Sequence, residues 1–285
     1  MGSLLIFGLG YCGKAIASAA AAQGWQVRAT SRTPAHMLPI AGVEIVGFDE
    51  VQLNGITHLL TTAAPDAAGD PVLRAYAGAI EAASSLRWAG YLSTTGVYGD
   101  RAGGWVDELT PPAPSSTRGA RRVAAEQAWA AIGGHIAIDL FRLAGIYGPG
   151  RSAFDDLRTG IARRVDRPGH AFGRIHREDI VGAVLAAIGQ KLPPGTRVLN
   201  GNDNEPAESA TVVAEAARLL GVPPPPLRPL DPATMSPMAQ SFWAENRKVA
   251  SHRTQESLGR NWLYPSYREG LAAILAEEGG DSPHK

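Results

Sequence analysis

Apolar positions along this chain fall into short runs separated by longer stretches where alanine, leucine and valine recur every three or four residues. Residues 4–7 (Leu-Leu-Ile-Phe) form an apolar run closed by Gly8. Residues 26–30, 44–48, 58–62, 88–93 and 136–143 have the same short, apolar character and predict five further strands. Between them, the alanine-rich stretch 14–23 predicts a helix ending at Gly24, where a helix-stopping glycine belongs. Residues 71–85, with Pro71 in the first turn, and 118–132 predict two more helices. Strands alternating with helices imply a parallel sheet covered on both faces, because parallel neighbours need crossovers.

Past Gly150 the rhythm changes. Residues 179–190 predict an apolar helix, 196–200 a strand, 207–220 a helix ended by Gly221, and 265–278 a last helix before a frayed tail from 279 to 285. Pro223–Pro226 is read as an extended, rigid connector, with a ligand for a proline-binding module as the alternative. The expected fold is α/β: a Rossmann-like, doubly wound parallel sheet with a smaller C-terminal lobe. The sheet domain is placed at 1–150 and completed by 174–200. The substrate-side lobe is placed at 201–285 with 151–173. No internal repeat is visible.

Composition narrows the function. The 285 residues carry 27 basic and 27 acidic side chains, and 45% are hydrophobic, so the chain can bury a large core and has no basic excess for nucleic acid. Cys12 is the only cysteine, which excludes an internal disulfide and suits a reducing compartment. No apolar run approaches the ~18 residues of a membrane span. Met1-Gly2-Ser3 lacks a basic start and Gly8 cuts the first apolar run short, so no signal peptide and a cytoplasmic location are expected. The seven histidines are scattered without metal-ligand spacing, and no metal is expected. No Gly-x-Ser-x-Gly suggests an esterase. The partner is expected to be a small molecule; oligomeric state is left open.

Gly8-Leu9-Gly10-Tyr11-Cys12-Gly13 follows the first strand and opens the first helix. The first glycine permits the turn, the second lets backbone approach a pyrophosphate, and the third lets helix and strand pack closely. In that setting the pattern points to a dinucleotide site. Gly8, Gly13 and Lys14 also fit a Walker-type loop, but the next residue is Ala15, which has no hydroxyl for magnesium. Cys12 at the helix start is either a reactive thiol or a small residue packing the loop. The second strand ends at Thr30-Ser31-Arg32, with no acid for an adenosine ribose; a hydroxyl and a guanidinium stand ready for a 2′-phosphate. NADP(H) is therefore preferred and NAD(H) remains possible. The alternative for Arg32 is an ordinary surface arginine.

Further residues resemble a family. Ser93-Thr94-Thr95-Gly96-Val97-Tyr98-Gly99-Asp100 closes the fifth strand, Arg142–Arg151 closes the sixth, and Arg174-Ile175-His176-Arg177-Glu178-Asp179 precedes a helix. Together they resemble the extended short-chain dehydrogenase/reductases, the NAD-dependent epimerase/dehydratase superfamily. Asn246-Arg247-Lys248-Val249 and the stretch from Tyr264 to Leu271 resemble the C-terminal signature of the atypical, YeeZ-like branch. The resemblance implies that Thr94 orients the substrate carbonyl and that Asp49 contacts adenine. It also implies that Ala63-Ala64-Pro65 lines the ribose and nicotinamide side, and that the turn of Tyr147 lies beside nicotinamide.

The family also uses Tyr-x-x-x-Lys on the helix after the Ser/Thr motif. Ala124-Ala125-Glu126 sets the register here, which puts Arg118 at the tyrosine position and Arg122 at the lysine position. No slip restores the pair, because no lysine occurs between Lys14 and Lys191. Arginine holds its proton far above neutrality and cannot serve as a base. Arg122 is a candidate for the nicotinamide ribose and Arg118 for an anionic substrate group; both also suit a solvated helix face. Tyr98, Tyr147, Asp100 and His176 are the candidates for a replacement acid. Trp243 and Trp262 are candidates for a cleft wall, with core packing as the alternative. The expected function is an NADP(H)-binding, atypical oxidoreductase or epimerase-like enzyme acting on a carbonyl or sugar-nucleotide-like substrate. The alternative is a catalytically silent dinucleotide sensor or scaffold.

Overall fold

The first strand shows why the sheet sits in the middle. Leu4 and Ile6 pack into one apolar cluster and Leu5 and Phe7 into another, so both faces of the strand are covered. The computed structural model describes residues 2–132, 134–231, 233, 240 and 243–280. In chain order, β1 (Ser3–Phe7), β2 (Gln26–Ser31), β3 (Val43–Gly47), β4 (His58–Thr61) and β5 (Trp88–Thr94) are followed by the two-residue β6 (Trp105–Val106). Then come β7 (Ala137–Leu143), β8 (Gly145–Tyr147), β9 (Arg164–Asp166) and β10 (Arg174–His176). The last three are β11 (Gly195–Gly201), β12 (Leu227–Pro229) and β13 (Lys248–Val249).

Seven strands form one sheet in the order β11-β7-β5-β4-β1-β2-β3, and all its pairings are parallel. The direction of winding reverses between β1 and β4. That reversal opens a crevice at the carboxyl ends of the strands, where ligands of such sheets bind.

The helices are α1 (Tyr11–Ala22), α2 (Pro71–Ala82), α3 (Thr117–Ile132), α4 (Ala153–Arg158) and α5 (Arg177–Gly189). They continue with α6 (Ser209–Leu220), α7 (His252–Leu258) and α8 (Tyr267–Gly280). Ile16, Ala17 and Ala20 of α1 and Ile180, Val184 and Ile188 of α5 cover one face of the sheet. Val72 and Ile80 of α2 and Ala125, Trp129 and Ile132 of α3 cover the other. Asp70 caps α2 by accepting from the amides of Val72 and Leu73 at 2.9 and 3.0 Å, and Pro71 opens the helix where no amide is needed. A third cluster joins Tyr147, Phe154, Val212, Ala216, Tyr267 and Leu271 behind the sheet's last strands.

The seven main strands and six main helices agree with the apolar pattern to within a few residues. The first helix begins at Tyr11 rather than Lys14, because its first turn is the glycine loop itself. Short β6, β8, β9, β10, β12 and β13, and helices α4 and α7, have too little periodicity to be read from sequence. Helix α8 runs to Gly280, past the expected start of a tail at residue 279; residues 281–285 lie outside the described residues. Residues 223–226 form neither helix nor ladder, as a rigid connector requires. No helix among the described residues is long and apolar enough to cross a membrane.

Candidate active site

The glycine loop turns at Gly8, whose φ of +101° suits only a residue without a side chain. A Cβ on Gly13 would stand 2.1 Å from the Gly8 carbonyl oxygen, so α1 lies against the end of β1. A Cβ on Gly10 would meet nothing within 4 Å, which leaves room for a ligand against the backbone. Gly10 begins the helix without a side-chain cap, and the first backbone bond of the helix runs from Lys14 N to Gly10 O. The preceding amides therefore face a cleft of about 580 Å³ lined by Gly10, Tyr11, Cys12 and Gly13. These residues suit the diphosphate of a dinucleotide.

Thr94 ends β5 on the same cleft, with Oγ1 accepting from Gly96 N at 3.2 Å. The turn Thr95–Tyr98 then packs on α3: a Cβ on Gly119 would sit 3.0 Å from the Gly96 carbonyl. This contact brings Arg118 and Arg122, one helical turn apart, to the cleft beside Thr94. Arg122 is buried and donates from Nη1 to the Tyr91 hydroxyl at 2.9 Å and to the Leu92 carbonyl at 2.8 Å. Helix α3 carries neither tyrosine nor lysine.

Five arginines line the cleft (Arg118, Arg122, Arg151, Arg174 and Arg247) against one carboxylate, Glu245. Arg151 lies over the Tyr11 ring at 5.6 Å, at the glycine-loop end of the cleft. Tyr11 donates to the Pro149 carbonyl at 3.0 Å, so the turn after Tyr147 does reach the glycine loop. Burial pushes the Cys12 thiol up to about 11, against thiolate chemistry. Cys12, in the first turn of α1, packs into the core cluster.

Each replacement acid named from sequence has a hydrogen-bond partner outside the cleft, although His176 Nε2 is buried without one. Tyr98 is buried, donates to Asn200 Oδ1 at 2.8 Å, and burial pushes its pKa up. Asp100 accepts from Asn246 N at 2.8 Å, which holds its carboxyl below the usual range. Burial holds His176 down at about 4, and its Nδ1 accepts from Glu178 N at the start of α5. Tyr147 is not among the residues lining the cleft: its ring packs against Gly270 in the third apolar cluster. Of the two tryptophans, Trp243 lines the cleft with Phe172, edge-to-face at 4.9 Å, whereas Trp262 is buried in the core.

Other predicted residues lie along the carboxyl edge of the sheet but outside this cleft. Ser31 ends β2 and accepts from Thr33 N at 3.2 Å; Arg32 is exposed just beyond it. Asp49 is exposed in the turn after β3, and Ala63 and Ala64 follow β4.

Sequence reasoning assigned no role to Glu245 or Arg247. They reach the cleft because β13 pairs with β6, and because Asn246 O accepts from Arg101 N and Gly103 N at 3.0 and 2.9 Å. The only signal was the Asn246–Val249 motif, far along the chain from Thr94.

No protein-family model matches the chain. It is 28% identical over 249 residues to Protein YeeZ of Escherichia coli (strain K12), covering 80% of this chain and 87% of that one. A solved structure of a conserved protein of unknown function from Silicibacter pomeroyi is 46% identical, with a TM-score of 0.92 over 97% of this chain and 99% of that one. A chain from Methylobacillus flagellatus described as an NAD-dependent epimerase/dehydratase is 27% identical, with a TM-score of 0.75 over 98% and 99%. The chain has the fold of the extended short-chain dehydrogenase/reductases and is similar to such proteins along nearly its whole length. Its likeness to YeeZ supports the YeeZ-like branch. At 19% identity, MoeE5 (TM-score 0.76, 99% and 100% covered) and human epimerase family protein SDR39U1 (0.77, 96% and 99%) share the fold.

Proposed function

We propose that this protein is an NADP(H)-dependent oxidoreductase of atypical mechanism, acting on a small carbonyl compound. The observation that carries the reading is one cleft holding both the uncapped amides of Tyr11–Gly13 and the Thr94 hydroxyl. MoeE5 was solved with NAD and UDP-glucuronic acid, and SDR39U1 with NADPH, which supports a nicotinamide dinucleotide in this fold. Ser31 and Arg32 at the end of β2 favour the phosphorylated form. The division into a cofactor domain (1–150 with 174–200) and a substrate-side lobe (151–173 with 201–285) belongs to the same reading.

In this mechanism the amides at the start of α1 and Arg151 hold the diphosphate. Arg122, fixed by Tyr91 and Leu92, presents its remaining guanidinium edge to the ribose. A nicotinamide bound there supplies or accepts a hydride. Thr94 Oγ1 donates to the substrate carbonyl oxygen and holds the carbonyl carbon within reach of the hydride. With no phenol or amine on α3, the proton comes from water entering the cleft.

The second reading is a silent dinucleotide sensor, favoured by the commitment of Tyr98, Asp100, His176 and Tyr147 to other partners. NADPH oxidation over a panel of carbonyl compounds separates the two. Turnover that falls about 100-fold in Thr94→Val, with NADPH affinity unchanged, supports the oxidoreductase. Saturable NADPH binding without turnover on any compound supports the sensor.

A further inference from the structure

Arg247 and Thr94 belong to segments far apart in the chain but converge on one point. The position a Cβ would take on Gly96 lies 3.5 Å from Thr94 Oγ1 and 3.9 Å from Arg247 Nη2. The other edge of the guanidinium is occupied: Nη1 donates to the Gly99 carbonyl at 2.9 Å and to Glu245 Oε2 at 2.6 Å. Glu245 is anchored in turn by the Ser115 hydroxyl at 2.5 Å. Arg247 is therefore held rigidly, its side chain 15% exposed, with Nη2 left at the wall of the cleft beside the hydroxyl assigned to the substrate carbonyl.

We propose that Arg247 is the specificity-determining residue of this site, and that it reads a carboxylate next to the reacting carbonyl. This deepens the oxidoreductase reading and rests on it. A guanidinium edge pairs with a carboxylate through short, charge-assisted bonds. With Nη2 and Thr94 Oγ1 both within 4 Å of that one position, the geometry suits a carboxylate and a carbonyl on adjacent carbons or separated by one carbon. The substrate class is a 2-oxo or 3-oxo acid, with Trp243 and Phe172 walling its apolar remainder. A nucleotide sugar meets this geometry poorly, because several bonds separate its diphosphate from a ring carbonyl.

The test uses the full chain loaded with NADPH and follows the nucleotide's fluorescence. The probes are oxamate and malonamate, unreactive half-amides that mimic a 2-oxo and a 3-oxo acid, their uncharged diamides, and UDP-glucose. The expected result is that one carboxylate binds about tenfold or more tightly than its diamide. Arg247→Gln should erase that preference without changing NADPH affinity, and Arg247→Lys should retain part of it. Neither carboxylate binding, a preference that survives in Arg247→Gln, or UDP-glucose binding in place of both overturns the proposal. Should Arg247→Gln not fold, Arg247→Lys carries the test: a carboxylate preference undiminished in that variant overturns the proposal. Wild-type protein that binds no NADPH overturns the oxidoreductase reading itself.

Discussion

Arg142 Nη2 meets Glu126 Oε2 at 2.7 Å, with the two side chains only 5% and 4% exposed. Glu126 lies on α3 and Arg142 near the end of β7, so the pair fixes the helix that carries Arg118 and Arg122 against the sheet that carries Thr94. Ser93 donates to the same carboxylate at 2.6 Å, and the Arg142 guanidinium lies over the Tyr98 ring at 4.8 Å. Tyr98 continues the chain of contacts to Asn200, whose amide nitrogen Nδ2 donates to the Ala250 carbonyl at 2.9 Å.

Removing one partner of a buried pair leaves the other charge uncompensated. Glu126→Ala is expected to cost about 3–5 kcal/mol in stability. Denaturant unfolding measures it. A loss below about 1 kcal/mol, the size of an exposed pair, contradicts the role given to this contact.

Arg32 is exposed beyond β2 and is given one task, binding a 2′-phosphate. Arg32→Ala should weaken NADPH by about tenfold or more while leaving NADH nearly unchanged. Calorimetric titration with both nucleotides reads the difference, and equal losses refute the preference for NADP(H).

Asp203 follows β11, buried without a well-formed hydrogen bond to either carboxyl oxygen, and burial pushes it up to about 8 with Arg174 offsetting part of the effect. Between pH 4 and 8 the folded chain keeps a proton that the unfolded chain has lost. Stability should therefore fall as pH rises through that window, by up to about 1.4 kcal/mol per unit. Asp203→Asn should stabilise the protein most at pH 8 and least at pH 4. Thermal melting across the range checks this; a variant with the wild-type pH dependence contradicts it.

Much of this was legible in the sequence because it depends on neighbours along the chain. The strand runs and the glycine loop follow from spacing alone, Arg118 and Arg122 from the register that the family resemblance implies, and the cleft brings those two beside Thr94. What was not legible depends on contacts across the fold. Tyr147 and Tyr98 stand in motifs near the site, yet their rings point into packed interior and to Asn200. Arg247 and Glu245 reach the site only through the pairing of β6 with β13 and the hold of Asp100 on Asn246. A pattern of apolar positions carries no trace of either.

The most direct test of the central claim is a titration of the purified chain with NADP+, NADPH, NAD+ and NADH. The account predicts saturable binding, tightest for the NADP(H) pair. Failure of all four to bind at millimolar concentration would contradict it.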